Sequence, residues 1–185
     1  MKYSVLLIVV VLWGCKVQKI NDLAEEYKIV NLVLKEVHVK QFILYDENYL
    51  VNYTTPDFNA YIDWYDEFLE TGKITSMASR DIEWILDYDD IKFISKKIKS
   101  DTIKTKWDRK QIKNPNLIYA SDRPDLVESS DLPRPPRVEL SKAYINKDRT
   151  KAMIIRIIGG NGFLILAKKV DGNWQLCGEI EYMFS

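Results

Sequence analysis

Two periodicities divide the chain. Up to about residue 100 apolar side chains recur every three or four positions, and beyond residue 137 they alternate or run in short blocks. Leu23, Tyr27, Val30 or Asn31, and Leu34 predict a first helix that fades near Glu36, with Asn21 or Asp22 as its cap. The β-branched and aromatic run 37–45 (VHVKQFILY) admits a strand or more helix, and its composition favours a strand over 41–45. Pro56 and Asp57 open a second helix. Phe58, Tyr61, Ile62, Tyr65, Phe68 and Leu69 fall on one side of it, and Asp63, Asp66, Glu67 and Glu70 on the other, with Gly72 as the stop. Ser79 caps a short helix through Leu86. Asp87, Asp89 and Asp90 then precede a last helix to about Lys99, with a buried stripe of Ile91, Ile94 and Ile98. Acids at its start and Lys96, Lys97 and Lys99 at its end match the helix dipole.

The segment 120–137 holds four of the six prolines and little that fills a core, which predicts a long surface loop. Four strands follow, at 138–145, 151–158, 163–170 and 174–184. The Asp171-Gly172 pair supplies the positive φ angles of a two-residue hairpin turn. The glycines of GGNG at 159–162 have no following Lys or Ser and lie between strands, so they predict a tight turn and not a phosphate cradle. In the last strand Trp174, Leu176, Gly178, Ile180, Tyr182 and Phe184 alternate with Gln175, Cys177, Glu179, Glu181 and Ser185, which predicts one face on the helices and one wetter face. The expected class is α+β: N-terminal helices packed on a C-terminal antiparallel sheet of about four strands, forming one domain over 22–185.

The amino terminus follows neither pattern. Lys2 precedes an apolar run from Tyr3 to Trp13, of signal-peptide length and well short of the ~20 residues of a spanning helix. Leu12, Trp13, Gly14 and Cys15 resemble a bacterial lipobox, with Trp13 its one bulky departure. This divides the chain into a signal peptide (1–14) cut between Gly14 and Cys15, a tether (15–21) and the domain. Lipid on the Cys15 thiol would hold that domain to a membrane, since two or three acyl chains give stable anchoring. Lys16 and Val17, with no acidic run after Cys15, do not resemble the surface-export tags of Bacteroidetes, which favours an outer-membrane anchor facing the periplasm over cell-surface display. Cys177 is the one other cysteine, so a lipidated Cys15 leaves it a free thiol in a strand. Charge adds little: 27 basic and 27 acidic residues give a formal net charge of zero, which recommends no nucleic-acid partner.

Catalytic signatures are sparse. His38 is the single histidine, which excludes a zinc site built on two imidazoles; flanked by Val37 and Val39, it reads as a structural residue. No Walker A loop, dinucleotide fingerprint or metalloprotease motif occurs, and no metal or cofactor is expected. Carboxylates offer the one enzymatic option. Asp87, Asp89 and Asp90 cluster at a helix start, and Glu179 and Glu181 share a strand face about 7 Å apart. Among the aromatics Tyr61, Trp64, Tyr65, Trp84 and Tyr88, Trp64 lies off the core stripe and is the candidate binding residue. Asp101-Thr102-Ile103 resembles the sites at which Bacteroidetes O-glycosylate exported proteins, which makes Thr102 the candidate acceptor.

The segments WILDYDDIKFISKKI (84–98), ELSKAYINKDRTKAMI (139–154) and GFLILAKKVDGNWQL (162–176) are similar to small uncharacterised Bacteroidetes lipoproteins, and the closing hairpin is also similar to the end of NTF2-like domains. That resemblance implies a localisation and a fold and carries no catalytic residues. The expectation is a lipid-anchored envelope protein acting as a non-enzymatic binding or interaction module, with an envelope protein as partner. The competing expectation is a carboxylate-dependent enzyme on a cell-wall or carbohydrate substrate. Metabolic labelling with palmitate tests the anchor: the full chain should take up label, globomycin should leave it as a labelled uncleaved precursor, and Cys15→Ala should take up none.

Overall fold

The computed structural model describes residues 22–51, 56–72, 84–128 and 134–183. Helix α1 (22–35) buries Tyr27, Val30 and Leu34, as the spacing predicts, together with Ile29 and Val33. Leu23, one turn earlier on the same azimuth, is exposed, so the core begins at Tyr27. Strand β1 (Phe42–Leu44) follows, fully buried along its length. Helix α2 (Pro56–Thr71) ends at Gly72, whose φ of 70° closes it with a bond from its N–H to the Phe68 carbonyl. Tyr65 faces the core, but Leu69, expected beside it, is exposed. The expected Asn21 and Ser79 caps and the side chain of Trp64 lie outside the described residues.

No helix occurs at 84–86, contrary to the expected one ending at Leu86; that stretch is irregular. Trp84 and Leu86 are buried there, and the Trp84 indole N–H donates to the Leu86 carbonyl at 2.6 Å. Two large side chains two positions apart reach one core from this irregular stretch, whereas on a helix they would diverge by about 200°. Helix α3 (Tyr88–Ser100) is as predicted. Asp87 and Asp90 form a reciprocal capping box, and Ile91, Ile94 and Ile98 make the buried stripe.

The sheet departs furthest from expectation. It contains β1, β2 (Leu117–Tyr119), β3 (Arg137–Leu140), β4 (Tyr144–Ile145), β5 (Lys151–Ile158), β6 (Asn161–Val170) and β7 (Asn173–Met183). Their order is β2-β1-β3-β5-β6-β7, with β4 also paired to β5. The α+β class stands, but among the described residues the sheet has seven strands instead of about four and is mixed, because β1 runs parallel to both β2 and β3. Strands of three residues carry no periodicity to read, which is why β2 escapes detection. The expected strand 138–145 is broken between β3 and β4. There the buried Ser141 hydroxyl accepts the Ile155 N–H at 2.9 Å and donates to the Lys142 carbonyl at 2.8 Å. The segment expected as loop, 120–137, holds a 3-10 turn (Ala120–Asp122), helix α4 (Pro124–Glu128) and the start of β3. Proline at the first position of a short helix explains part of its proline content.

Both hairpin turns are as predicted, with positive φ at Gly159 and Gly160 and at Asp171 and Gly172. In β7 Gln175 and Glu181 are exposed where Trp174 and Ile180 are buried, as expected, but the central strands have no wet face. One side of the sheet packs on α1, through Ala152, Ile154, Ile165 and Ala167, and the other on residues of α2, α3 and 84–86, through Met153, Ile155, Leu164 and Leu166. The strict alternation expected of β7 fails at a bulge: Leu176 pairs with Ala167, but Gly178 pairs with Leu166, so Cys177 is an extra residue. Trp174 and Leu176 therefore lie on the α1 side, while Ile180 joins the α3 side.

Segments 84–98 and 139–154 meet at one polar joint. Asp90, only 8% exposed, accepts from Asn146 Nδ2 at 2.8 Å and from Lys151 Nζ at 2.7 Å. The Asn146 side-chain oxygen in turn accepts the backbone N–H groups of Thr150 and Lys151. Cap, helix and hairpin thus share one carboxylate. Asp90→Ala leaves Asn146 Nδ2 without its acceptor and Lys151 with only the longer contact to Asp87, 3.2 Å, and should cost about 2–4 kcal/mol in urea unfolding. Asp89→Ala, at an exposed first-turn position, should cost about 0.5 kcal/mol or less.

Candidate functional site

Beside the carboxyl end of α1 an open cleft of about 510 Å³ exposes the α1 side of the sheet. Its volume falls within the ~300–1,000 Å³ usual for small-molecule sites. Leu32, Ile165 and Leu176 supply apolar wall, and Glu36 and His38 line it from the segment after α1. Arg156 lies at its base. In the strand register Arg156 stands opposite Phe163, and Ile165 opposite Glu179, so Arg156 and Glu179 are diagonal neighbours across β6. Arg156 Nη2 donates to both Glu179 oxygens at 2.9 Å, and the guanidinium carbon sits 4.9 Å from the centre of the Phe163 ring.

This pairing is incomplete. Arg156 is 6% exposed, and its Nε and Nη1 are buried with no hydrogen-bond acceptor. Each idle buried donor costs about 1–3 kcal/mol, more for a charged group, and the ring contact returns about 0.5–2 kcal/mol. Burial presses the guanidinium pKa below its usual range, while Glu179 and then Glu36 hold it up. An arginine in this state remains a cation. Trp107 Nε1 and the Tyr119 hydroxyl are also buried without partners, but each is neutral. Among the described residues Arg156 is the buried charged group with donors left unbonded, and it lines this cleft.

The residues singled out in the sequence separate here. Glu179 belongs to the cleft. Glu181 shares its face, as expected, but is exposed and accepts from Asn161 Nδ2 at 3.1 Å, so the two acids have different partners. His38, expected as a structural residue, is exposed at the cleft rim, 3.4 Å from Glu36 and with 80% of its side chain in solvent. The valines flanking it mislead: Val37 is buried and Val39 exposed, because irregular chain does not keep a strand's alternation. Asp87 and Asp90 serve the α3 cap and its joint. Thr102 is exposed in the turn after α3, while Asp101 is engaged with Lys142 and with the Tyr144 hydroxyl, which donates to it at 3.0 Å. Tyr65 and Trp84 pack ring to ring at 5.9 Å, and Tyr88 is exposed. Among the described residues no cluster of three or more His, Cys, Asp or Glu side chains could hold a metal ion. Cys177 is half-buried at the bulge, with Sγ 3.4 Å from the Leu166 carbonyl oxygen. Arg156 was missed in the sequence. A basic residue inside an otherwise apolar strand (AMIIRII) is the signal that marks it.

Two adjacent acids of α1 have opposite electrostatic fates. Burial would raise the Glu25 pKa, but bonds from Lys169, Lys28 and the Trp174 indole N–H outweigh it and hold the value at about 2. Glu25 thereby rivets α1 to the β6–β7 hairpin, with contacts of 2.7 Å to Lys169 and 2.6 Å to Trp174. Glu26 is pushed up to about 7, first by burial and also by Asp101, against the pull of Lys142, the Ala143 N–H and Lys97. Tyr144, buried beside Asp101, has its hydroxyl pKa raised as well.

The raised Glu26 value has a definite sign. The folded state holds a proton that the unfolded chain releases near its ordinary value of 4.5, so this contribution to stability falls as pH rises from about 4.5 to about 7 and is then constant. Glu26→Gln, which mimics the protonated acid, should match wild type at pH 4 and exceed it at pH 8 by on the order of 1–3 kcal/mol in urea unfolding.

No family model, no curated protein and no solved structure matches this chain.

Proposed function

We propose that the chain is a lipid-tethered, non-enzymatic binding module of the cell envelope, and that the cleft at Arg156 and Glu179 is its binding surface. In this reading lipid on Cys15 anchors the protein to the outer membrane on the periplasmic side, and the tether 15–21 leads into α1. The observation that carries the binding role is the buried guanidinium with idle donors at the base of an open, partly apolar cleft. No helix of the described residues is long and apolar enough to cross a membrane, which is compatible with an anchor of another kind.

The competing enzyme needs a pair of carboxylates that converge on one substrate atom. Both oxygens of Glu179 are engaged by Arg156, Glu181 is bonded to Asn161, and Asp87 and Asp90 accept from Lys151 and from backbone groups at the start of α3.

Purification of the full chain from its native envelope in mild detergent, followed by mass spectrometry of what remains bound, tests the proposal. Wild type should retain an envelope component, expected to be a protein, that Glu179→Lys loses while keeping its circular dichroism spectrum. Identical retention by the two proteins would move the binding surface elsewhere, and retention of nothing by wild type would defeat the binding role.

A further inference from the structure

Leu32 lines a second concave surface as well. This open groove of about 580 Å³ lies between α1, the loop before β2 and the start of β7. Its floor is apolar, formed by Leu32, Pro115 and Trp174, and its rim carries Lys28, Lys35 and Lys113 with no carboxylate. Over the whole chain acids and bases are equal in number, so this rim is a local sorting of charge. Glu25 behind it does not restore the balance. That one carboxylate is divided between Lys28 and Lys169, each at 2.7 Å, and so faces two ammoniums. Among the described residues no acid lies within ion-pair distance of Lys35 or Lys113.

The groove is also held in shape. The Asn31 side chain accepts the Lys113 N–H at 2.7 Å and donates to the Gln111 carbonyl at 2.8 Å, and Asn114 Nδ2 donates to the Leu34 carbonyl at 3.0 Å. These bonds fix the Lys113 loop against α1. The Trp174 ring is fixed by its N–H on Glu25 and by Lys169 Nζ, 5.0 Å from the ring centre. Partner surfaces presented in this way lose little entropy on binding.

The spacing of the cations selects the occupant. Lys28 and Lys35 are seven residues apart on α1, which puts them on one face about 10 Å apart, and Lys113 stands on the facing loop. A single small anion does not span that row. An extended chain does, because carboxylates at positions i and i+3 are also about 10 Å apart, with two side chains between them for the floor. A bilayer fits less well: side chains that enter a membrane project from the surface, whereas Leu32 is half-buried and Trp174, at the base of a concavity, is 6% exposed.

We propose that this groove docks an extended acidic segment of a partner protein, in which two carboxylates flank an apolar pair. The carboxylates pair with the lysines of the rim, and the apolar side chains lie on Leu32, Pro115 and Trp174. This surface goes beyond the Arg156 cleft beside it and requires neither Arg156 nor Glu179.

The probe is an amidated peptide with Glu-Leu-Leu-Glu between Gly-Ser flanks, labelled at its amino end with tetramethylrhodamine. Its anisotropy is followed with the full chain in non-ionic detergent, against detergent alone. Binding should saturate and should weaken about fivefold or more between about 50 and about 300 mM salt. Peptides with Gln-Leu-Leu-Gln or Glu-Ser-Ser-Glu at the centre should each bind about tenfold more weakly or worse. Lys35→Glu and Lys113→Glu should each weaken binding about fivefold, and the double variant should abolish it with its circular dichroism spectrum unchanged. Lys147→Glu, an equal change of net charge at an exposed position outside the groove, should bind as wild type does. Absence of saturable binding would overturn the proposal, as would wild-type affinity in the double variant or an equal loss in Lys147→Glu. Vesicles of phosphatidylcholine and phosphatidylglycerol serve as the second arm: if they bind through Lys35 and Lys113 and the peptide does not, the groove faces the membrane and the partner segment is refuted. Glu179→Lys should bind the peptide as wild type does, so failure of the peptide leaves the cleft to its own experiment.

Discussion

The central strands are apolar on both sides, and the rest of the fold follows from that constraint. In β5 and β6, Ala152, Ile154, Ile165 and Ala167 point one way and Met153, Ile155, Leu164 and Leu166 the other, all buried. Fully burying side chains of this kind is worth roughly 1.5–3 kcal/mol for each Leu, Ile or Met, so neither face can be left to water. The helices must divide between the two sides. Helix α1 goes to one, held at its start by Glu25 on Lys169 and Trp174. Residues of α2, 84–86 and α3 take the other, fixed by Asp90 on Asn146 and Lys151. Each layer is closed by one buried or half-buried carboxylate that accepts from a lysine and from a side-chain N–H.

The bulge at Cys177 reconciles the last strand with this two-sided core. Without an extra residue, Trp174, Leu176 and Ile180 would share a face, and one helix layer would lose its outer contacts. With it, Trp174 and Leu176 reach α1 and Ile180 reaches the α3 side, while Glu179 and Glu181 return to the α1 side. The cleft is a by-product of the same shift. Past the end of α1 the sheet face continues, and the residues that occupy it are Arg156, Glu179 and aliphatic wall instead of a closed apolar layer. The polar pair thus sits on a rigid scaffold of three long antiparallel strands, which suits recognition better than a loop would.

That scaffold carries an internal electrostatic asymmetry. Glu25 and Glu26 are neighbours on α1, yet one is held near pH 2 by three donors and the other is raised to about 7 by burial and Asp101. Their difference comes from facing two different neighbours: the β6–β7 hairpin for Glu25, and the end of α3 with the break between β3 and β4 for Glu26. Nothing in the dipeptide itself separates them.

The legible parts of the sequence were those in which a local rule suffices. The α1 and α3 stripes, the Asp87–Asp90 cap, the Gly72 stop and the two glycine-containing hairpin turns depend on periodicity and backbone conformation within a few residues, and the chain specifies them directly. The α+β class followed from them. Strands of two or three residues, the parallel placement of β1 between β2 and β3, and the division of helices between faces depend on partners far along the chain. The face exchange in β7 was invisible for the same reason: whether a strand bulges is set by the register of its neighbour, and a strictly alternating sequence is compatible with either outcome. The cleft shows the limit most plainly. Glu179 could be picked out as an acid on a strand, but its meaning comes from Arg156 two strands away, whose unmet donors exist only because tertiary packing removed water from a group that in the unfolded chain is fully hydrated.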